Sequence, residues 1–240
     1  MNGAGVVVAL EAEARTLGRA VHRRDGLWSL GGGALLCVGG MGPGLAVLAA
    51  RRLADAGAAG LVSFGLAGGL DPSLSAGSIV LPREVIAAGG ARFAATGAWR
   101  EPVSAAITRA RPVAPGALLT SAVSLAAVAD KAAAFRATGA VAVDMESSGV
   151  AEVAAACGLP FMAARAIIDT AADALPQAVA AAGAAGHLNM PRLIIDLASS
   201  PLEVVALIGL ARRYRAAIRA LKCMAGALLL TPVGGGTGAA

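Results

Sequence analysis

Two carboxylates, Glu146 and Asp169, each stand where a short apolar run ends. The run from Val141 to Met145 is β-branched and reads as a strand. Phe161 to Ile168 reads as a second strand, with Arg165 inside it. Between them, Ser147 to Cys157 is Ala-rich and reads as a helix, closed by Gly158-Leu159-Pro160. The order is strand, acid, helix, strand, acid. In a parallel α/β sheet both acids share the carboxyl-end edge, where such folds bind ligands. A carboxylate there can move a proton or hold hydroxyl groups. A third candidate lies near the start: Val6 to Leu10 reads as a strand and runs into Glu11 and Glu13. Position alone also allows plainer roles. Glu11, Glu13 and Glu146 would suit the positive end of a helix macrodipole. Asp169 could simply end a strand before a turn. Arg165, if buried, needs a partner, either a structural acid or an anion.

The elements that must position these groups follow from the rest of the chain. Ala12 to Leu17 looks helical. Leu35 to Val38 reads as a strand, and Gly39 to Gly44 as a glycine-rich turn into a helix from Leu45 to Ala56. Glycines there let a backbone approach a ligand, and helix N-terminal amides can take an anion. The spacing fits neither the dinucleotide fingerprint nor the P-loop. Leu61 to Phe64 reads as a third parallel-type strand, with a second small-residue turn expected over Gly65 to Leu70. Ile79 to Pro82 follows as a short strand. The stretch from Ala87 to Pro115 is punctuated by Gly and Pro and carries no clear pattern. Gly116 to Ser121 reads as a strand and Ala126 to Thr138 as a helix. There is no internal repeat and no linker, so residues 1–232 are expected to form a single domain.

Composition bounds the partners. With 240 residues the chain is long enough for one α/β domain. Hydrophobic residues make up 57% and aromatics only 3%, so the core must be built of Ala, Val, Leu and Ile. The net charge of +5 is mostly arginine, since Lys131 and Lys222 are the only lysines. Without aromatics to stack bases, a nucleic-acid partner is not expected. No apolar run has a spanning profile, and the N-terminus lacks the basic region of a signal peptide. Cys37, Cys157 and Cys223 have no CxxC spacing, which fits a reduced cytoplasmic chain without a metal site. His22 and His187 lie in unpatterned regions and are given no role. At the end, an apolar run from Leu202 to Ala211 is followed by Arg212, Arg213, Arg215, Arg219 and Lys222. This basic amphipathic helix, 202–222, suits either a membrane surface or packing on the domain, and packing is preferred. Residues 233–240 are Gly-rich and expected to be disordered.

Five stretches together resemble the purine nucleoside phosphorylase/nucleosidase superfamily. They are Ala9-Leu10-Glu11-Ala12-Glu13, Gly40-Met41-Gly42, Gly65-Leu66-Ala67-Gly68-Gly69-Leu70, Val143-Asp144-Met145-Glu146 and Arg165-Ala166-Ile167-Ile168-Asp169. Over residues 5 to about 173 the chain looks like the methylthioadenosine/S-adenosylhomocysteine nucleosidases. Beyond Asp169, the run from Thr170 to Pro176 and the basic helix look more like hopanoid-associated phosphorylases. The resemblance implies an α/β three-layer fold with a mixed central sheet. It also implies cleavage of the N-glycosidic bond of an adenine nucleoside, without cofactor, by water or phosphate.

By the same resemblance, Asp169 is the general acid that protonates the purine N7, with its pKa raised in an apolar pocket between Ile167 and Ile168. Glu146, held ionised at a helix start, binds the ribose hydroxyls and faces the oxocarbenium-like cation. Glu13 stands on the nucleophile side. Met145 lies against the ribose, Gly42, Ala67 and Gly68 border the nucleophile and the base, and Leu125 and Arg165 complete the substrate contacts. The chain departs from the family's pattern at Leu66, where phosphorylases carry a hydroxyl. It departs again at Ile168, where nucleosidases carry Ser, and at Ser124-Leu125, where an aromatic stacks on adenine. The favoured substrate is adenosylhopane, whose 5′ group is large and apolar. A methylthioadenosine/S-adenosylhomocysteine nucleosidase and a noncatalytic nucleoside- or lipid-binding protein are the alternatives. A lipid-linked nucleoside, peripheral contact with the inner face of the membrane and a homo-oligomer are the expected partners.

Overall fold

The structure, a computed structural model, describes residues 3–22, 24–175 and 201–234. It is an α/β fold around one mixed sheet. The strands that matter for function are β1 (Gly5–Val8), β2 (Val21–His22), β3 (Leu27–Ser29), β4 (Leu35–Val38) and β5 (Leu61–Gly69). They continue with β6 (Ile79–Val80), β7 (Glu84–Ile86), β8 (Arg92–Ala94), β9 (Val113–Ala114), β10 (Ala117–Thr120), β11 (Ala140–Asp144) and β12 (Phe161–Asp169). The helices are α1 (Glu11–Ala14), α2 (Pro43–Asp55), α3 (Gly97–Thr108), α4 (Val128–Thr138), α5 (Ser147–Ala156) and α6 (Pro201–Leu230). The main path of the sheet runs β2-β3-β4-β1-β5-β11-β10-β7-β8, and β12 pairs with β5 and β6.

Strand direction sets the edge on which the candidate acids fall. β1 runs parallel to β4 and β5, and β12 runs parallel to β5 from Phe161 onward. β11 is antiparallel to β5, meeting it at Gly68 and Gly69, which makes the sheet mixed. Two cores cover its two faces. Val6, Val8, Val62, Phe64, Met162 and Ala164 point to one face, against Trp99 and Ile107 of α3 and Leu221 and Met224 of α6. Val7, Leu35, Leu61, Phe161 and Ala163 point to the other, against Leu53 of α2 and Val150 of α5. This period-two alternation within apolar strands is what a sheet buried on both sides requires. The three-layer fold expected from the sequence is the one found.

Three expectations need correction. The stretch from Gly65 to Gly69 is not a turn but the second half of the nine-residue strand β5. Its small residues serve close approach. A Cβ on Gly65 would lie 2.5 Å from both Arg165 Nη1 and Glu13 Oε1. Next, α2 begins at Pro43, two residues earlier than the pattern suggested. Gly42 precedes it with φ +102°, and Pro is well placed at a helix start, where its missing N–H costs nothing. Finally, the unpatterned stretch from Ala87 to Pro115 holds β8, α3 and β9.

The C-terminal helix packs on the domain through residues from Leu210 onward. Leu210, Ala217, Leu221, Met224 and Leu228 are buried, while Arg212, Arg215, Arg219 and Lys222 are exposed. Val233 packs against the same core. Most of the segment between Ala174 and Pro201 falls in 176–200 and lies outside the described residues, as does the tail 235–240. Among the described residues no helix is long and apolar enough to cross a membrane.

Candidate active site

The expectation of a shared carboxyl-end edge does not hold for both acids: β11 runs antiparallel to β5 and β12 parallel to it, so Glu146 and Asp169 follow strands of opposite direction, and Arg165 lies within β12. β1 ends at Val8, and the chain turns at once into α1, which aims Glu13 back at the strand it left. Glu13 Oε2 accepts bonds from the amides of Ala9 (3.0 Å) and Leu10 (2.9 Å), and Oε1 accepts one from Leu66 of β5 (2.8 Å). Its carboxylate is buried. Glu11, two residues earlier, points to solvent and pairs with Arg15 at 3.2 Å. The two neighbouring glutamates are thereby assigned opposite surroundings. Burial raises the pKa of Glu13, against the pull of Arg165 and the three amides.

Arg165, in the middle of β12, is 1% exposed. Its Nη2 lies 2.7 Å from Asp144 Oδ2, and donates to Ser63 Oγ at 2.5 Å and Ser147 Oγ at 3.0 Å. Glu146 Oε2 is 3.9 Å away. The open question of Arg165's partner is thus settled: it is a structural acid, Asp144. Asp144 is itself held by Thr120 Oγ1 (2.8 Å) and by the Ser147 amide at the start of α5. Three carboxylates, Glu13, Asp144 and Glu146, therefore surround one guanidinium.

Glu146 sits at the N-cap position of α5 but makes no capping bond there. Its Oε1 instead accepts the Gly42 amide at 3.0 Å, across the glycine turn that opens α2. The expectation of a carboxylate held ionised is reversed. Burial, with Asp144 and Glu13 adding repulsion against the attraction of Arg165, pushes its pKa from 4.5 to about 7. The helix end is too weak a source of charge to offset that desolvation. Met145 is partly buried beside it.

Asp169 closes β12 and is 4% exposed. Its surroundings correct the apolar pocket inferred from Ile167 and Ile168. Ile167 turns into one core and Ile168 toward the other, leaving the carboxylate to Lys131 of α4. The Lys131 ammonium forms an ion pair with Asp169 Oδ2 and also donates to the carbonyls of Thr170 and Asp173, both at 2.8 Å. Burial raises the Asp169 pKa; Lys131 pulls against it.

Of the remaining candidates, Gly68 lies beside Asp169: a Cβ there would come within 3.3 Å of Oδ2. Leu125 packs on a third cluster with Leu70, Ile86 and Val143. Ala67 turns into the α2/α5 core rather than toward the acids. The structure brings Glu13, Gly42, Glu146 and Arg165 into one bonded network, with Gly68 and Asp169 as a second group. Sequence reasoning assigned no role to Asp144, Ser63, Ser147 or Lys131. Two signals were present: Ser63 interrupts an apolar strand, and Lys131 is one of two lysines in the chain. Among the described residues no group of three or more His, Cys, Asp or Glu could hold a metal ion.

The model of the phosphorylase superfamily matches residues 10–195, and the chain belongs to that family. Membership makes it a nucleoside phosphorylase or nucleosidase, an enzyme that breaks N-glycosyl bonds. Among solved structures it is similar to a 5′-methylthioadenosine/S-adenosylhomocysteine nucleosidase from Neisseria meningitidis in complex with methylthio-immucillin-A. That likeness has 20% identity and a TM-score of 0.70, covering 95% of this chain and 99% of the other. The Campylobacter jejuni nucleosidase of the same description shows 16% identity and a TM-score of 0.71, over 95% and 97% of the chains. Futalosine hydrolase from Helicobacter pylori shows 14% and 0.68, over 94% and 97%. No curated protein matches.

Proposed function

We propose that the protein hydrolyses an adenine nucleoside bearing a large apolar 5′ group, of the adenosylhopane class, releasing adenine. Water attacks C1′ as the C1′–N9 bond breaks, and the bonding electron pair leaves with the purine. Asp169 donates a proton to N7 to make the purine a better leaving group, and Glu13 takes a proton from the water. Glu146 accepts hydrogen bonds from the ribose hydroxyls, and in its ionised form faces the oxocarbenium-like cation. Burial raises the pKa of both Glu13 and Asp169, the direction that suits proton transfer nearer neutrality.

The observation that carries water over phosphate is the occupation of two backbone amides and of Nη2 of Arg165 in the network, with the buried Nε of Arg165 left without a partner. The Gly42 amide is taken by Glu146, the Leu66 amide by Glu13, and Nη2 of Arg165 by Asp144 and two serines. Three carboxylates around one cation repel a phosphate and favour a cationic sugar. Leu66, where phosphorylases carry a hydroxyl, adds no ligand. The large 5′ group is supported by the resemblance of the region after Asp169, and by the exposed cations Arg212, Arg215, Arg219 and Lys222 on α6. These would face anionic lipid beside a bilayer-borne substrate. Arg213 is not among them, because it pairs with Asp173 at 2.6 Å.

Adenine release, followed for methylthioadenosine, S-adenosylhomocysteine and an adenosine with a polycyclic hydrocarbon at C5′ in vesicles, tests the reading. The third substrate is expected to turn over fastest. Faster release from methylthioadenosine would move the assignment to the small-substrate nucleosidases, and binding without release would make the protein a noncatalytic binder.

A further inference from the structure

We propose that Lys131 is a positioning residue for proton donation: its ammonium holds Oδ2 of Asp169, so Oδ1 is the oxygen that delivers the proton to the purine. The inference rests on the reading of Asp169 as the general acid. Lys131 is wholly buried in an otherwise Ala-rich helix, and a buried lysine without work is rare. An ammonium has three donors and no acceptor. Here all three are spent, on Asp169 Oδ2, the Thr170 carbonyl and the Asp173 carbonyl. The ammonium cannot rotate away without losing a bond, and a proton placed on Oδ2 would face a donor. The proton is therefore excluded from Oδ2.

The anchor is itself braced. Thr170 donates from its amide (2.9 Å) and its hydroxyl (2.8 Å) to Asp173 Oδ2, and Arg213 of α6 holds Asp173 Oδ1 at 2.6 Å. Beside the carboxyl β5 presents Gly68, where a Cβ would lie 3.3 Å from Oδ2 and 3.5 Å from Oδ1, so the missing side chain leaves the carboxyl its room. The charged groups facing Asp169 are thus Lys131 from α4, Asp173 from the turn after β12, and Arg213 from α6. When the proton leaves Oδ1, the carboxylate that remains lies against an ammonium already in place. Lys131 thereby both orients the acid and stabilises its conjugate base.

The test compares adenine release by wild type, Lys131→Met and Lys131→Arg across pH, using whichever nucleoside of the panel above wild type turns over. Removing a cation in contact with a carboxyl group raises that group's pKa by about 1 to 3 pH units. The alkaline limb of kcat/KM should move up by that amount in Lys131→Met. Its plateau should fall by no more than the ~10² to 10⁴ that the acid itself contributes. Lys131→Arg should return the limb toward the wild-type position. A lowered plateau with an unmoved limb would mean a purely structural lysine and overturn the inference, while adenine release by wild type leaves the functional reading standing. If Lys131→Met does not fold, the wild type still decides. With two lysines in the chain, ¹⁵N-lysine labelling gives two Nζ signals, assigned by Lys222→Arg. The Lys131 signal should exchange slowly and shift in Asp169→Asn. A signal that exchanges as fast as that of Lys222 would overturn the ion pair and the inference with it.

Discussion

Glu146→Gln should make this protein more stable at pH 8 while disabling it. In the free protein, burial pushes the Glu146 pKa from 4.5 to about 7. The folded state therefore binds a proton that the unfolded chain releases between those values. Where the folded state holds more protons, stability falls as pH rises. Stability from this group is full below pH 4.5, and is lost progressively up to about pH 7. The size of the loss follows from 1.36 kcal/mol per pKa unit, or roughly 3 kcal/mol for this group. Glutamine cannot ionise and escapes the loss. Its carbonyl can still accept the Gly42 amide. Its NH₂ would instead meet the Met145 amide, which Oε2 now accepts at a long 3.3 Å, and forfeiting that bond costs about 1 kcal/mol. The net expectation is a gain of about 2 kcal/mol at pH 8 and a small loss at pH 5. Urea unfolding at pH 5, 6, 7 and 8 reads both. A variant less stable than wild type at pH 8, or one whose pH dependence matches wild type, would refute the reasoning. Turnover should fall more than affinity, because the lost charge faces the transition state.

Three further outcomes are expected. Asp169→Asn should lower adenine release by about 10² to 10⁴ with nucleoside binding largely kept, as steady-state kinetics and direct titration would show. Arg165→Met leaves Asp144 buried beside two other carboxylates. Breaking such a pair costs about 3–5 kcal/mol, visible as a lower urea midpoint at neutral pH, and a change below about 1 kcal/mol would contradict the network. Replacing Arg212, Arg215 and Arg219 by Ala should release the protein from anionic vesicles at low salt, since each surface cation adds roughly 1 kcal/mol there. Equal loss of turnover on a soluble analogue would show a structural role for the helix.

The fold was legible where local pattern and tertiary need coincide. β4 was read with its observed bounds, and β11, α5 and β12 to within a residue or two, because apolar β-branched runs alternate there with an Ala-rich helix. α3 was missed because Gly97 opens it and Pro102 sits within it, both of which argue against a helix until Trp99 and Ile107 bury themselves on the sheet. The second half of β5 was misread because glycines signal turns locally, whereas here they make room for Arg165 and Glu13. The acids themselves stood at strand ends in the sequence. Their electrostatics did not, because ionisation depends on partners far away in the chain. Glu146 is tuned by Arg165 and Gly42, and Asp169 by Lys131, 38 positions earlier. No local pattern carries that information.

The central claim is that a carboxylate-walled site uses water and not phosphate. ³¹P NMR of the reaction in phosphate buffer, with adenine release followed in parallel, tests it directly. The account predicts adenine release at the same rate with and without phosphate, and no sugar 1-phosphate signal. Release that requires phosphate and yields a sugar 1-phosphate would contradict it.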